Sequence, residues 1–208
     1  MPFKQILKTE KQVRELIGYP RETIKRKTIH YLDHHCQDFI RLSPFVLLAT
    51  SDKDGTCDVS PRGDMAGFVQ ILDEKRLVIP ERPGNRKIDS IRNILANPQA
   101  GLIFLIPGLE ETLRVNGKAY IIADQALLET MAVKGKVPKL AIGMEVEECF
   151  IHCAKALKRS QLWEPRSWPN RSDLPSPAKI LSAHINDPRH DEEAIQRALE
   201  ESYRERLY

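Results

Sequence analysis

Short blocks of alternating or continuous apolar residues fill the middle of the chain, and three-to-four-residue apolar spacing marks both ends. Phe45–Ser51 is apolar and β-branched, and Asp52-Lys53-Asp54-Gly55 after it predicts a hairpin turn. Cys57–Arg62 alternates and carries Pro61, which suits an edge strand or the end of pairing. Gly67–Leu72 and Arg76–Pro80 flank the turn Asp73-Glu74-Lys75. Ala100–Ile106 is continuously apolar, as in a strand buried on both faces. Pro107-Gly108 turns the chain into a long strand, Thr112–Ala123, and Lys139–Cys153 predicts another, with Gly143 as a candidate bulge.

The helical signals frame these strands. Glu10–Gly18 reads as a short helix, and Thr28–Leu42 carries Ile29, Leu32, Cys36, Phe39 and Ile40 at helical spacing before Ser43-Pro44 stops it. Asn85–Asn97 is the main helical interruption of the strands, and Asp124–Val133 is a shorter one. Helical spacing resumes after Cys153 through Leu157 and Leu162. Trp163–Pro177 is rich in proline, serine and arginine and reads as an extended arm. Asp191–Leu207 carries one apolar stripe on a charged helix, which needs a partner surface on its own barrel or on a second subunit. Six or seven strands with short turns predict a closed antiparallel barrel. The fold class expected is mainly β (α+β), one domain over residues 1–208 with N-terminal helices at about 9–42 and a C-terminal arm and helix at about 163–208.

Composition narrows the class. With 208 residues, 41% hydrophobic and 29% charged, the chain can build one soluble core. No apolar run is long enough to span a bilayer, and Met1–Gln5 lacks the apolar region of a secretory signal, so no membrane association and a cytoplasmic location are expected. The net charge of +3 is slight, and the basic run Lys25-Arg26-Lys27 lacks interleaved aromatics, which argues against nucleic acid. The four cysteines follow no disulfide framework. Cys149, His152 and Cys153 are close in sequence, but on a strand His152 points away from both cysteines, so no metal site is expected.

The stretch Pro80–Lys87 combines a turn at Pro83-Gly84 with Asn85 as a candidate N-cap and two cations, Arg86 and Lys87. Such a helix start can receive a phosphate dianion, and it can equally be an ordinary junction with solvated cations. Arg62 sits between Pro61 and Gly63 at a strand end, Arg114 lies in a long strand, and Lys155, Lys158 and Arg159 follow Cys153. This set can hold a phosphorylated ligand, with Asp64 and Asn116 as partners for its polar groups, or it can be scattered over the surface. Trp163 and Trp168 either cover a planar ligand or pin the arm. No dinucleotide, Walker, zincin or nucleophile-elbow motif is present.

The runs SPFVLLAT (43–50), DVSPRGD (58–64), LVIPERPGNRKI (77–88), GLIFLIPG (101–108), ETLRVNGKA (111–119) and CFIHCAKALKRSQLW (149–163) occur in an order that resembles a known family. It is the FMN-binding split-barrel superfamily of pyridoxamine 5′-phosphate oxidase-like proteins, in its group of FMN-dependent, flavin-nucleotide-binding members. The resemblance implies an antiparallel six-stranded split β-barrel with flanking helices. It implies a homodimer with FMN in each of two clefts between subunits, and an FMN-dependent oxidoreductase acting on a small molecule. On this likeness Arg62, Asn85, Arg86 and Lys87 would form the phosphate and ribityl shell. Ser60, Pro80 and Arg114 would line the flavin, and Lys158, Arg159 and Trp163 would reach it from the partner subunit. The ending Arg204-Glu205-Arg206-Leu207-Tyr208 departs from the Arg-Leu-x-Pro signature of the B6 oxidases proper, which argues against vitamin B6 as substrate. The alternatives are a non-catalytic flavin carrier or sensor, or a related barrel binding haem or a deazaflavin. No residue stands out as a catalytic acid or base; His152 and Tyr120 qualify by chemical type alone.

Overall fold

The computed structural model describes residues 3–208, so Met1 and Pro2 of the Met1–Gln5 stretch lie outside it. The helices are α1 (Glu10–Ile17), α2 (Glu22–Arg26), α3 (His34–Leu42), α4 (Asp89–Ala96), α5 (Gln125–Thr130), α6 (Lys155–Ser160), α7 (Pro177–Ile185) and α8 (Glu192–Glu205). The strands are β1 (Phe45–Ser51), β2 (Cys57–Gly63), β3 (Gln70–Asp73), β4 (Arg76–Pro80), β5 (Gln99–Leu105), β6 (Thr112–Ile122) and β7 (Ala141–His152).

All seven strands form one antiparallel sheet in the order β2-β1-β5-β6-β7-β4-β3. Alternate residues of β1, β5 and β6 (Val46 and Leu48, Leu102 and Phe104, Leu113 and Val115) point inward and are almost wholly buried. The ladder does not close, which corrects the expectation of a closed barrel: β2 and β3 remain the outer edges of a seven-stranded sheet. Pro61 on β2 has no N–H to donate, and β3 is only four residues long, so neither edge suits a continuous ladder.

Side chains bridge the gap instead. Arg62 at the end of β2 pairs with Glu81, just past β4, and Arg82 Nε donates to Asp64 Oδ2 at 2.7 Å. The two pairs run in opposite charge order, so the sheet must curve enough to bring its two sides together. Asp64 is 2% exposed at its side chain and Arg82 16%. α4 covers the same side, with Ile91 and Ile94 buried and Asn93 Nδ2 donating to Thr50 Oγ1 at 3.1 Å.

A bulge reverses the facing of β7 partway along. The register passes from Gly117↔Val146 to Asn116↔Glu148, leaving Glu147 unpaired. Before it Ile142, Met144 and Val146 face inward; after it Cys149 does, and Phe150 turns outward. The candidate bulge at Gly143 is therefore corrected, since Gly143 pairs regularly with Tyr120. Gly117 is the position that requires glycine: a Cβ there would sit 1.9 Å from Glu145 O.

The helical expectations shift in three places. Thr28–Asp33 is not helical, because Ile29 pairs with Cys149 and Leu32 N–H donates to Glu74 O at 2.7 Å. The helix begins at His34, where Asp33 accepts from Cys36 N–H at 2.8 Å. Helix α4 begins at Asp89, not Asn85, and its N-cap is Ile88. The arm contains two 3-10 turns, Pro165–Ser167 and Arg171–Asp173, and leads into α7, which the sequence reading did not assign. The apolar stripe of α8 packs against α7, burying Ile195 and Ala178. Among the described residues no helix is long and apolar enough to cross a membrane.

Gly117→Ala is expected to destabilise the fold by about 2 kcal/mol or more, because backbone rather than a mobile side chain must yield. Urea unfolding that shows no loss would refute the tight approach. The second prediction concerns acid. Burial opposes ionisation of Asp64, but hydrogen bonds from Met65 N–H, Tyr208 and Arg82 prevail and hold its carboxyl below the usual range. The unfolded chain therefore binds the extra proton first, and the stabilisation is complete above the ordinary value of about 4. It disappears as pH falls through the lowered folded value. Asp64→Asn should lose about 3 kcal/mol at neutral pH, since Arg82 is left buried without its counter-charge. The gap between variant and parent should narrow in acid, and a gap independent of pH would rule out the linkage.

Candidate functional site

The inner face of β2 is polar where those of its neighbours are apolar. The register Val46↔Arg62, Leu48↔Ser60 and Thr50↔Asp58 puts Asp58, Ser60 and Arg62 on the core side of the sheet, at its open edge. Ser60 Oγ and Ser90 Oγ each donate to Asp58 Oδ2 at 2.8 Å, tying β2 to the first turn of α4. Arg62 is 16% exposed at its side chain. Its Nη1 meets Glu81, while its Nε is buried and has no partner among the described residues. An unmatched guanidinium N–H in that setting is costly, and an oxyanion is the acceptor that suits it. Pro80, buried at the end of β4, directly precedes the Glu81 that holds Arg62.

Asn85, Arg86 and Lys87 form an exposed loop and not the first turn of a helix. Asn85 Oδ1 accepts from Lys87 N–H at 2.9 Å, which is a local turn and not an N-cap. The sequence-based placement of a phosphate on free helix N–H groups at Asn85 is thereby corrected; what remains is a loop with two cations. Arg86 has φ 61° and Ile88 φ 54°, and a β-branched residue in the left-handed region is strained. Lys87 pairs with Asp89 at 3.1 Å in an exposed contact, and among the described residues Arg86 makes no ion pair. Lys87 also borders a cleft of about 280 Å³ between the β1–β2 turn and α4, which Asp52, Asp58 and Asp89 line. Those carboxylates make the cleft itself a poor phosphate site.

Arg114 is on the other face of the sheet. It stands opposite Ile103 and Phe150, pointing outward, with its Cζ 5.6 Å from the centre of the Phe150 ring. Asn116, on the same face, donates to Glu148 Oε2 at 3.2 Å. One chain therefore gathers Ser60, Arg62 and Pro80 along the open edge, with the exposed Asn85–Lys87 loop following, and holds Arg114 apart from them. Lys158, Arg159 and Trp163 form a third group at the β5–β6 turn. Lys158 is paired with Glu110, and Trp163 Nε1 donates to Leu109 O at 2.9 Å. Arg159 is exposed on α6.

Asp64 is fully engaged, so it is not a free acceptor for a ligand. Tyr208 Oη donates to its Oδ1 at 2.8 Å, and Arg82 and Lys134 lie over the Tyr208 ring at 5.8 and 5.3 Å. The Asp64 bond in turn pushes the Tyr208 hydroxyl up from its ordinary pKa. Glu81, Arg82 and Tyr208 were not singled out from sequence. The only trace there is the mirrored charge order of Arg62–Asp64 and Glu81-Arg82, which no local rule pairs.

Comparison with known proteins completes the picture. No curated protein matches the chain. Among solved structures it is similar to HupZ of Group A Streptococcus, at 21% identity over 57% of this chain and 92% of that one, with a TM-score of 0.46. It is similar to an FMN-binding protein of Syntrophomonas wolfei at 7% identity over 56% and 88%, TM-score 0.43. It is also similar to HutZ, a haem storage protein of Vibrio cholerae, at 15% identity over 58% and 93%, TM-score 0.42. The family model described as pyridoxamine 5′-phosphate oxidase matches residues 32–153, more than half of the sequence and every strand of the sheet. The chain belongs to the pyridoxamine 5′-phosphate oxidase family.

Proposed function

We propose that the chain binds FMN as a homodimer and works as an FMN-dependent oxidoreductase on a small molecule. The observation that carries this is the buried, unpartnered Nε of Arg62, on the strand whose sequence carries the family likeness. A phosphate oxygen would satisfy that N–H without displacing Glu81 from Nη1. Arg86 and Lys87, exposed on the following loop, would neutralise the remaining charge, and Asn85 fixes the loop's turn. The donor set therefore fits a phosphate monoester. When bound, FMN supplies hydride transfer; the chain supplies orientation and charge. Ser60 is held by Asp58, and Pro80 walls the same edge.

The outer face of the sheet supports the homodimer. That face is apolar enough to be covered. Val59 is 60% and Phe45 37% exposed, with Leu47, Ile103 and Leu105 half-buried beside them. Lys158, Arg159 and Trp163, near the β5–β6 turn, would then approach the flavin from the partner.

Titrating the purified protein with FMN and recording its visible spectrum tests the cofactor. A flavin spectrum at about one FMN per chain is expected, and bands of haem or a deazaflavin, or no binding, would overturn the reading. Arg62→Ala should weaken FMN about tenfold or more, and so should the double variant Arg86→Ala/Lys87→Ala. Unchanged affinity in both would place the phosphate elsewhere. Turnover with a reduced nicotinamide or a small electrophile separates an enzyme from a flavin carrier. For the dimer, Val59→Glu puts a charge into the apolar face without touching the core. Light scattering should then report a monomer and FMN affinity should fall. A monomeric parent protein, or a variant that stays dimeric, would refute the interface.

A further inference from the structure

The segment that precedes the family-matched region adds a cation to the outer face. The match begins at residue 32, and the residues just before it run along the part of β7 that extends beyond β4. Ile29 N–H donates to Cys149 O at 3.0 Å, and Cys149 N–H returns the bond at 2.8 Å. This pairing lays Lys27 over the end of the strand, where its Nζ donates to Ile151 O at 2.9 Å. The same Nζ is 5.5 Å from the centre of the Phe150 ring, which also carries Arg114. Two residues further along β7, His152 shares that face, and its Nδ1 is buried with no partner among the described residues.

Three nitrogen-bearing side chains thus share one end of the outer face, two of them over the Phe150 ring. Among the described residues neither Lys27 nor Arg114 makes an ion pair; Glu148, two residues before Phe150 on β7, accepts from Asn116. Both cations are half-buried, where an unpaired charge is expensive. Burial, then Arg114 and Lys27, hold the His152 imidazole below its usual pKa. A neutral ring with a free Nδ1 can still donate to or accept from a ligand.

We propose that Lys27, Arg114 and His152 form an oxyanion site on the outer face, separate from Arg62, which takes the carboxylate or phosphate group of a small molecule. That this molecule is the oxidoreductase's substrate rests on the function proposed above; the site itself does not. Phe150 supplies a flat apolar floor between the cations, and the N-terminal segment supplies the cation that the family-matched region lacks.

The test follows the His152 ring by NMR in histidine-labelled protein, assigned with His152→Gln, while inorganic phosphate or acetate is added. A saturable shift of the His152 signal is expected, with its pKa rising in the bound state because the anion favours imidazolium. Lys27→Ala and Arg114→Ala should each weaken the response about tenfold while far-ultraviolet circular dichroism stays that of the parent. No saturable shift with either anion, or full affinity in both variants, would overturn the site. Arg62→Ala serves as the control that separates the two proposals. It should reduce FMN affinity and leave the anion response of His152 intact. If it abolished the His152 response, the cluster would belong to the flavin cradle and the separate site would fail. If FMN did not bind at all while His152 still responded, the oxyanion site would stand and the flavin reading would fall.

Discussion

Two largely shielded ion pairs hold the open side of this sheet together, and most of the molecule is arranged around them. A seven-stranded ladder that fails to close leaves two edges and an interior open to water. Arg62–Glu81 and Asp64–Arg82 bring those sides within side-chain reach. Neither pair is an efficient source of stability, since removing four charges from water offsets much of their attraction. Their opposite order is more telling. A slip of β2 against the β4 end would set like charges against each other, so the pairs fix register where no backbone ladder can. Tyr208 on Asp64 and α4 on Asp58 and Thr50 reinforce the same boundary from two sides.

That seam is also where the candidate chemistry begins. Arg62 has to serve Glu81 and still keeps one N–H buried and unmatched. The loop that follows holds Arg86 and Ile88 in left-handed conformations that nearby glycines would adopt without strain. Strained backbone and an unsatisfied donor in adjoining segments are features that folding alone does not favour. They mark this edge, and not the acidic cleft beside α4, as the candidate site.

The bulge at Glu147 decides what the far half of β7 presents. Without the extra residue, Phe150 and His152 would face inward and Cys149 outward. With it, a cysteine completes the core, and an aromatic ring and an imidazole join Arg114 outside. One glycine opposite the bulge, packed against Glu145 O, permits the change. The two faces of a single sheet thereby acquire separate polar groups.

Sequence by itself determined the strands. Phe45–Ser51 and Arg76–Pro80 match their predicted limits, and Glu10–Gly18 and Asp191–Leu207 lie within a residue or two of α1 and α8, because periodicity and capping are local. The ordered runs from SPFVLLAT to CFIHCAKALKRSQLW were enough to indicate the family. Tertiary structure decided the rest. Thr28–Asp33 has helical spacing, yet pairing with Cys149 and Glu74 and the Asp33 cap draw it out of the helix. Asn85 has the chemistry of an N-cap, but its side chain is spent on Lys87 N–H, so α4 starts four residues later. Which face Arg114 occupies, that the seam needs Glu81 and Arg82, and that Lys27 meets Phe150 all depend on contacts far apart along the chain. Hydrophobic patterning specifies which residues are buried; partners for charges are chosen only when distant strands have been brought side by side.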